Sequence, residues 1–146
     1  MKFSYALCAL LLGAASCGGN TTAPCTEPLG DTAWKLTEME AIPAEAIDLQ
    51  PEAFSFTFDS ADTMVYGLAA CNRFFGKYEG GTDGALRFGA LGSTRMLGPG
   101  EEYEQPFYQM LDAVDRYEVC DGQLIFYGGD QVLATFRAAV PASEAE

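Results

Sequence analysis

Residues 71–73 read Cys-Asn-Arg, placing a thiol, an amide and a guanidinium side by side. A cysteine nucleophile reacts as its thiolate, so it needs a neighbouring base or positive charge to lower its pKa. The chain contains no histidine. That removes the Ser-His and Cys-His pairs of nucleophilic catalysis and every imidazole metal ligand. Arg73 cannot take a proton and Asn72 is no base. Cys71 is therefore expected to be a small buried hydrophobe among Phe74 and Phe75, and no catalytic residue is assigned. Asp59, Asp62 and Glu79 lie near turns but lack the alternating spacing of a calcium loop, so no metal is expected. Gly128-Gly129-Asp130 joins two strands with no helix after it, which argues against a phosphate loop and leaves no cofactor implied. The Glu101-Glu102 pair sits at a helix start, where it stabilises the helix, and is poor material for a glycosidase.

Arg73, Arg95 and Asn72 are the candidate binding residues. Eight Lys and Arg stand against 21 Asp and Glu, a formal net charge of −13. Such a surface repels nucleic acid and anionic headgroups, so the two arginines are scarce charges. The plainer account pairs each with a carboxylate or a loop carbonyl. The sharper one has both facing one groove that receives an anionic group. Asn72 itself suits a turn, bonding nearby backbone and tolerating left-handed geometry.

These residues need a frame to hold them, and the chain describes one. Trp34 and Leu36 alternate with Lys35 and Thr37, and Phe54, Phe56 and Phe58 alternate with Ser55 and Thr57, the period of half-buried strands. Residues 59–62 turn into a strand over 63–66. Strands at 77–79 and 85–88 flank the glycine-rich turn 80–84. Strands at 117–120 and 123–127 flank Asp121-Gly122, a pair suited to a two-residue hairpin turn. A last strand covers 131–137. Phe107, Met110, Leu111 and Val114 follow the helical period instead, over about 101–114. Pro106 belongs in a first turn, so regular helix is expected from near Gln105. Residues 41–53 offer another short helical turn. The fold class is mainly β (α+β): an antiparallel sheet curled into a small barrel-like fold, with one amphipathic helix before the last strands.

The block Cys71-Asn72-Arg73-Phe74-Phe75-Gly76-Lys77-Tyr78, followed by Ser93-Thr94-Arg95-Met96, resembles the META domain family, which includes the HslJ-type heat-shock proteins. The resemblance extends from about Trp34 to Phe136. Ala70 stands where the family commonly has glycine, which implies a gentler backbone there. Gly98 stands where it often has a second cysteine, so Cys71 has no disulfide partner at that position. Phe74, Phe75 and Tyr78 are expected in the core, and Gly76 at a bulge or close strand approach.

The amino-terminal stretch MKFSYALCALLLGAASC has a charged start at Lys2, an apolar middle from Ala6 to Leu12, and small residues leading to Cys17. It resembles a bacterial lipoprotein signal over 1–16, with Cys17 lipidated and 17–28 a flexible tether. The domain then spans 29–140, and 141–146 form an acidic tail. Among Cys25, Cys71 and Cys120 one disulfide can be chosen in three ways; Cys25 with Cys120, tether to closing hairpin, is the pairing favoured. The expected protein is a non-enzymatic cell-envelope lipoprotein, a stress-associated binding or protein-interaction module. It is anchored through its lipid, with envelope proteins as partners, and is placed at the outer membrane facing the periplasm. The alternative is a β-barrel binding a small or anionic ligand.

Overall fold

The computed structural model describes residues 29–139. The signal segment, Cys17, Cys25 and residues 141–146 lie outside them. Eight strands run in chain order: β1 (Ala33–Glu38), β2 (Ser55–Asp59), β3 (Met64–Leu68), β4 (Arg73–Gly80), β5 (Leu86–Ser93), β6 (Arg116–Cys120), β7 (Gln123–Gly128) and β8 (Gln131–Ala138). Helix α1 (Ala44–Ile47) lies between β1 and β2, and α2 (Glu104–Ala113) between β5 and β6.

All strand pairings are antiparallel, in the order β5-β4-β3-β2-β1-β8-β7-β6. Two meanders thus share one sheet, joined where β8 lies beside β1. The sheet curls until its edges touch at one corner. There Ala85 bridges Arg116, and the Tyr117 N–H donates to the Gly84 carbonyl at 2.8 Å. Helix α2, in the connection from β5 to β6, packs Phe107 against Phe74 of β4 at 5.9 Å between centroids, and the sheet forms a curled half-barrel. Phe107 and Leu111 on α2 are fully buried, as their helical spacing requires.

Alternation places the inward residues. Trp34 and Leu36, Phe56 and Phe58, Val65, Phe74 and Tyr78, Leu124 and Phe126, and Ala134 and Phe136 are buried. Their rings close-pack: Phe56 meets Phe136 at 4.8 Å between centroids, Phe126 meets Phe136 at 4.9 Å, and Phe54 meets Phe107 at 5.3 Å. The barrel interior is filled with aromatic side chains. Asp121 (φ 52°) and Gly122 (φ 74°) both have left-handed backbones, the requirement of the two-residue turn that joins β6 to β7.

Some expectations shift. β4 and β5 are longer than the period alone indicated, running back to Arg73 and on to Ser93. Phe54 precedes β2 and takes a left-handed φ of 53°. Its N–H bonds the Ala69 carbonyl at 3.0 Å while its ring enters the core. Phe75 is 52% exposed, not core. Adjacent strand residues face opposite sides, so with Phe74 inward Phe75 must point out. The helix begins with a 3₁₀ turn at Glu101–Tyr103 before α2 starts at Glu104. The short helical turn within 41–53 is α1. Lys35 anchors the segment after α1, donating to the carbonyls of Ile47 at 2.9 Å, Gln50 at 3.2 Å and Ala53.

Candidate functional site

The two sequence blocks meet at one end of the barrel, around Asn72. The β3–β4 turn closes with the Ala69 N–H donating to the Asn72 carbonyl at 2.9 Å. Asn72 is buried and its φ is not left-handed. Its amide does not serve the local turn, as its residue type suggested. It reaches instead to the loop after β5 and to α2. The amide nitrogen donates to Glu104 Oε2 at 2.7 Å and to the Met96 carbonyl at 3.0 Å. The amide oxygen accepts from Thr94 Oγ1 at 3.0 Å and the Met96 N–H at 2.6 Å. Thr94 Oγ1 also accepts the Arg73 N–H at 3.0 Å.

Glu104 completes the arrangement. Its Oε1 accepts the N–H groups of Cys71 at 2.7 Å and Asn72 at 2.8 Å. Burial alone would raise this carboxyl's pKa. The hydrogen bonds from the Asn72 amide and the two N–H groups outweigh burial, and the net displacement is downward. A buried charge is tolerable only when it is bonded this way. One carboxylate in the first turn of α2 thereby clamps the β3–β4 turn.

Cys71 is half-buried at this turn and not enclosed by Phe74 and Phe75, contrary to the sequence expectation. The reason is backbone placement: Cys71 precedes β4, so its side chain lies at the barrel rim. Its thiol donates to the Met96 carbonyl at 3.5 Å. A Cβ at Gly98 would stand 2.9 Å from Cys71 Cβ. Desolvation, then the neighbouring Glu104 carboxylate, push the thiol pKa upward, the opposite of what a nucleophile needs. Burial and the Glu104 charge likewise raise Tyr108 to about 12.

The arginines part company. Arg95 lines a surface groove of ≈ 830 Å³ with Glu101, Glu102 and Glu104, whereas Arg73 lines a separate groove of ≈ 380 Å³ on the outer face of the sheet. Both are exposed, and the ion pair among the described residues is Arg116–Glu118. Among the described residues the two arginines thus line different grooves, and neither makes an ion pair. Among the described residues no three acids or thiols gather as a metal site. Cys71 is the free cysteine among them, and Cys120, at the end of β6, is not a free thiol. Gly76 is at a bulge of β4 against β5, where a Cβ would meet Leu91 Cδ2 at 2.6 Å.

The META domain model matches residues 27–140, covering both blocks and the clamp between them. The chain belongs to the META domain family. None of the curated proteins matches it. Solved structures do. A protein from Burkholderia xenovorans, determined by NMR, is 28% identical, with a TM-score of 0.62 over 77% of this chain and 85% of that one. A DUF4847 family protein from Bacteroides vulgatus, determined by crystallography, is 15% identical, with a TM-score of 0.54 over 75% and 93%. That second likeness is of fold. Within this META domain, Glu104 is the site residue that sequence reasoning missed. Glu104, Phe107 and Leu111 share one helical stripe, and an acid in an apolar stripe was the signal available.

Proposed function

We propose that this META-domain chain is a non-enzymatic bacterial cell-envelope lipoprotein, anchored through Cys17 and acting as a stress-associated binding or protein-interaction module. The observation that carries the non-enzymatic part is the saturation of Asn72. Both donor and acceptor capacities of its amide are taken by Glu104, Thr94 and Met96, so the buried amide is not available to a substrate. The raised pKa of Cys71 points the same way.

The anchor rests on the sequence from Lys2 to Cys17, and the stress role on the family resemblance. Cys25 joined to Cys120 would fasten the tether to the β6–β7 hairpin; intact mass before and after reduction tests that bond. The position proposed is the outer membrane facing the periplasm; residues 18–24 carry none of the acidic side chains that some surface-exported lipoproteins place after the lipidated cysteine. An anionic ligand, the alternative reading, would bind outside the filled barrel.

The test of the proposal is metabolic labelling with an alkyne fatty acid, followed by envelope crosslinking. Label on the wild type, its loss in Cys17→Ala, and a reproducible crosslinked partner are expected. An unlabelled, freely released protein would overturn the anchor.

A further inference from the structure

The outer face of the sheet carries two adjoining rows that the clamp does not use. Strand register sets Gly92, Phe75, Tyr66, Thr57 and Ala33 side by side across β5 to β1. The next row is Arg73, Leu68, Ser55, Lys35 and Arg137, from β4 across to β8. Phe75 and Tyr66, directly opposite one another, are 52% and 49% exposed. A Cβ at Gly92 would stand 2.9 Å from Phe75 Cζ and 3.3 Å from both Cε atoms. The Phe75 ring thus lies flat on the backbone of β5 and turns its other face to solvent.

Charge adds to the shape. Three of the chain's eight basic residues fall in one row of a protein with net charge −13. Lys35 is spent on the carbonyls after α1 and contributes only its field. Arg73 and Arg137 are exposed and make no ion pair among the described residues. Glu52 is the acid lining the groove beside Arg73, Ser55 and Thr57.

We propose that this face binds an acidic glycan. The flat C–H side of a pyranose ring stacks on Phe75 and Tyr66, the sugar carboxylate meets the Arg73 guanidinium, and hydroxyls bond Ser55, Thr57 and Glu52. Exposed aromatic rings combine large contact area with little entropy to lose, and arginine binds a carboxylate through two parallel N–H bonds. An acidic peptide fits less well. Peptides that bind sheets add to a free edge, whereas β2, β3 and β4 each have a strand on both sides. Glu52 accepts hydrogen bonds from sugar hydroxyls, donors that glutamate side chains lack.

This deepens the binding-module reading and rests on it, though not on the anchor. Loss of lipid labelling would leave it standing, and loss of glycan binding would leave the anchor standing. The test is calorimetry on the full-length protein as isolated from cells, kept in detergent micelles, with tetragalacturonate, maltotetraose and tetraglutamate as probes. Tetragalacturonate is expected to bind best. Arg73→Ala and Phe75→Ala should each weaken it by about tenfold or more, with Arg95→Ala unchanged and melting curves showing all three variants folded. Tetraglutamate binding as well as tetragalacturonate, binding indifferent to Phe75→Ala, or no binding of any probe would overturn the proposal.

Discussion

Glu104 and Asn72, 32 residues apart in the chain, are joined twice: the Glu104 carboxylate accepts the Asn72 N–H at 2.8 Å and the Asn72 side-chain amide at 2.7 Å. The join ties α2 to the β3–β4 turn, and through Thr94 and Met96 it also holds the loop leaving β5. Two strand-end segments and the start of α2 depend on one carboxylate.

Removing that carboxylate should therefore be costly. Glu104→Ala leaves three donors without an acceptor, and each buried orphan costs about 1–3 kcal/mol. Denaturant unfolding is expected to show a loss of about 3 kcal/mol, a large part of the roughly 5–15 kcal/mol that holds such a domain together. A loss under about 1 kcal/mol would show that water replaces the carboxylate.

The same group predicts an acid sensitivity. The folded-state pKa of Glu104 is lowered, below the roughly 4.3 of a free glutamate. Its contribution is complete above that unfolded value and is lost as pH falls through the lower, folded one. Wild type should thus lose stability below about pH 4.3 more steeply than Glu104→Gln. Parallel curves for the two proteins would contradict the assignment.

Cys71 and Gly98 make a geometric prediction. A Cβ at 98 would lie 2.9 Å from that of Cys71, about 1 Å shorter than a relaxed disulfide. A small backbone opening suffices, so Gly98→Cys should bond to Cys71 on oxidation. The gain expected is about 2 kcal/mol, the low end for disulfides because of the strain. Peptide mapping without reductant checks the pairing; two free thiols after oxidation would place the segments further apart.

Tyr117 offers a stabilising change. It is 1% exposed, and its hydroxyl lies beside the Gly84 backbone without meeting hydrogen-bond geometry to any described residue. Deleting a buried, unbonded hydroxyl removes its desolvation cost, so Tyr117→Phe should gain about 1 kcal/mol. A lower melting temperature than wild type would reveal a bond to the phenol.

Much of the frame could be read from local signals. Phe56 and Phe58 alternate with polar neighbours, and Asp121-Gly122 supplies the backbone its turn demands, so the strands and hairpins around them were legible. The site was less so because its bonds are long-range. Nothing near Asn72 indicates that its amide will meet a carboxylate on α2, and nothing near Arg73 and Arg95 reveals that they open onto different faces. Phe75 is another matter. A Phe-Phe pair on a strand must split between the two faces, so its exposure was readable once Phe74 was placed inside.

In the function proposed, the sulfur of the first block is part of the barrel's construction and performs no reaction. The pH dependence of Cys71 alkylation by iodoacetamide in the folded protein tests this most directly. With the thiol pKa raised by burial and Glu104, the rate should be well below that of a free cysteine at pH 7 and rise only above the usual thiol range of about 8.5. Alkylation at pH 7 faster than free cysteine, with a midpoint below about 7, would contradict it.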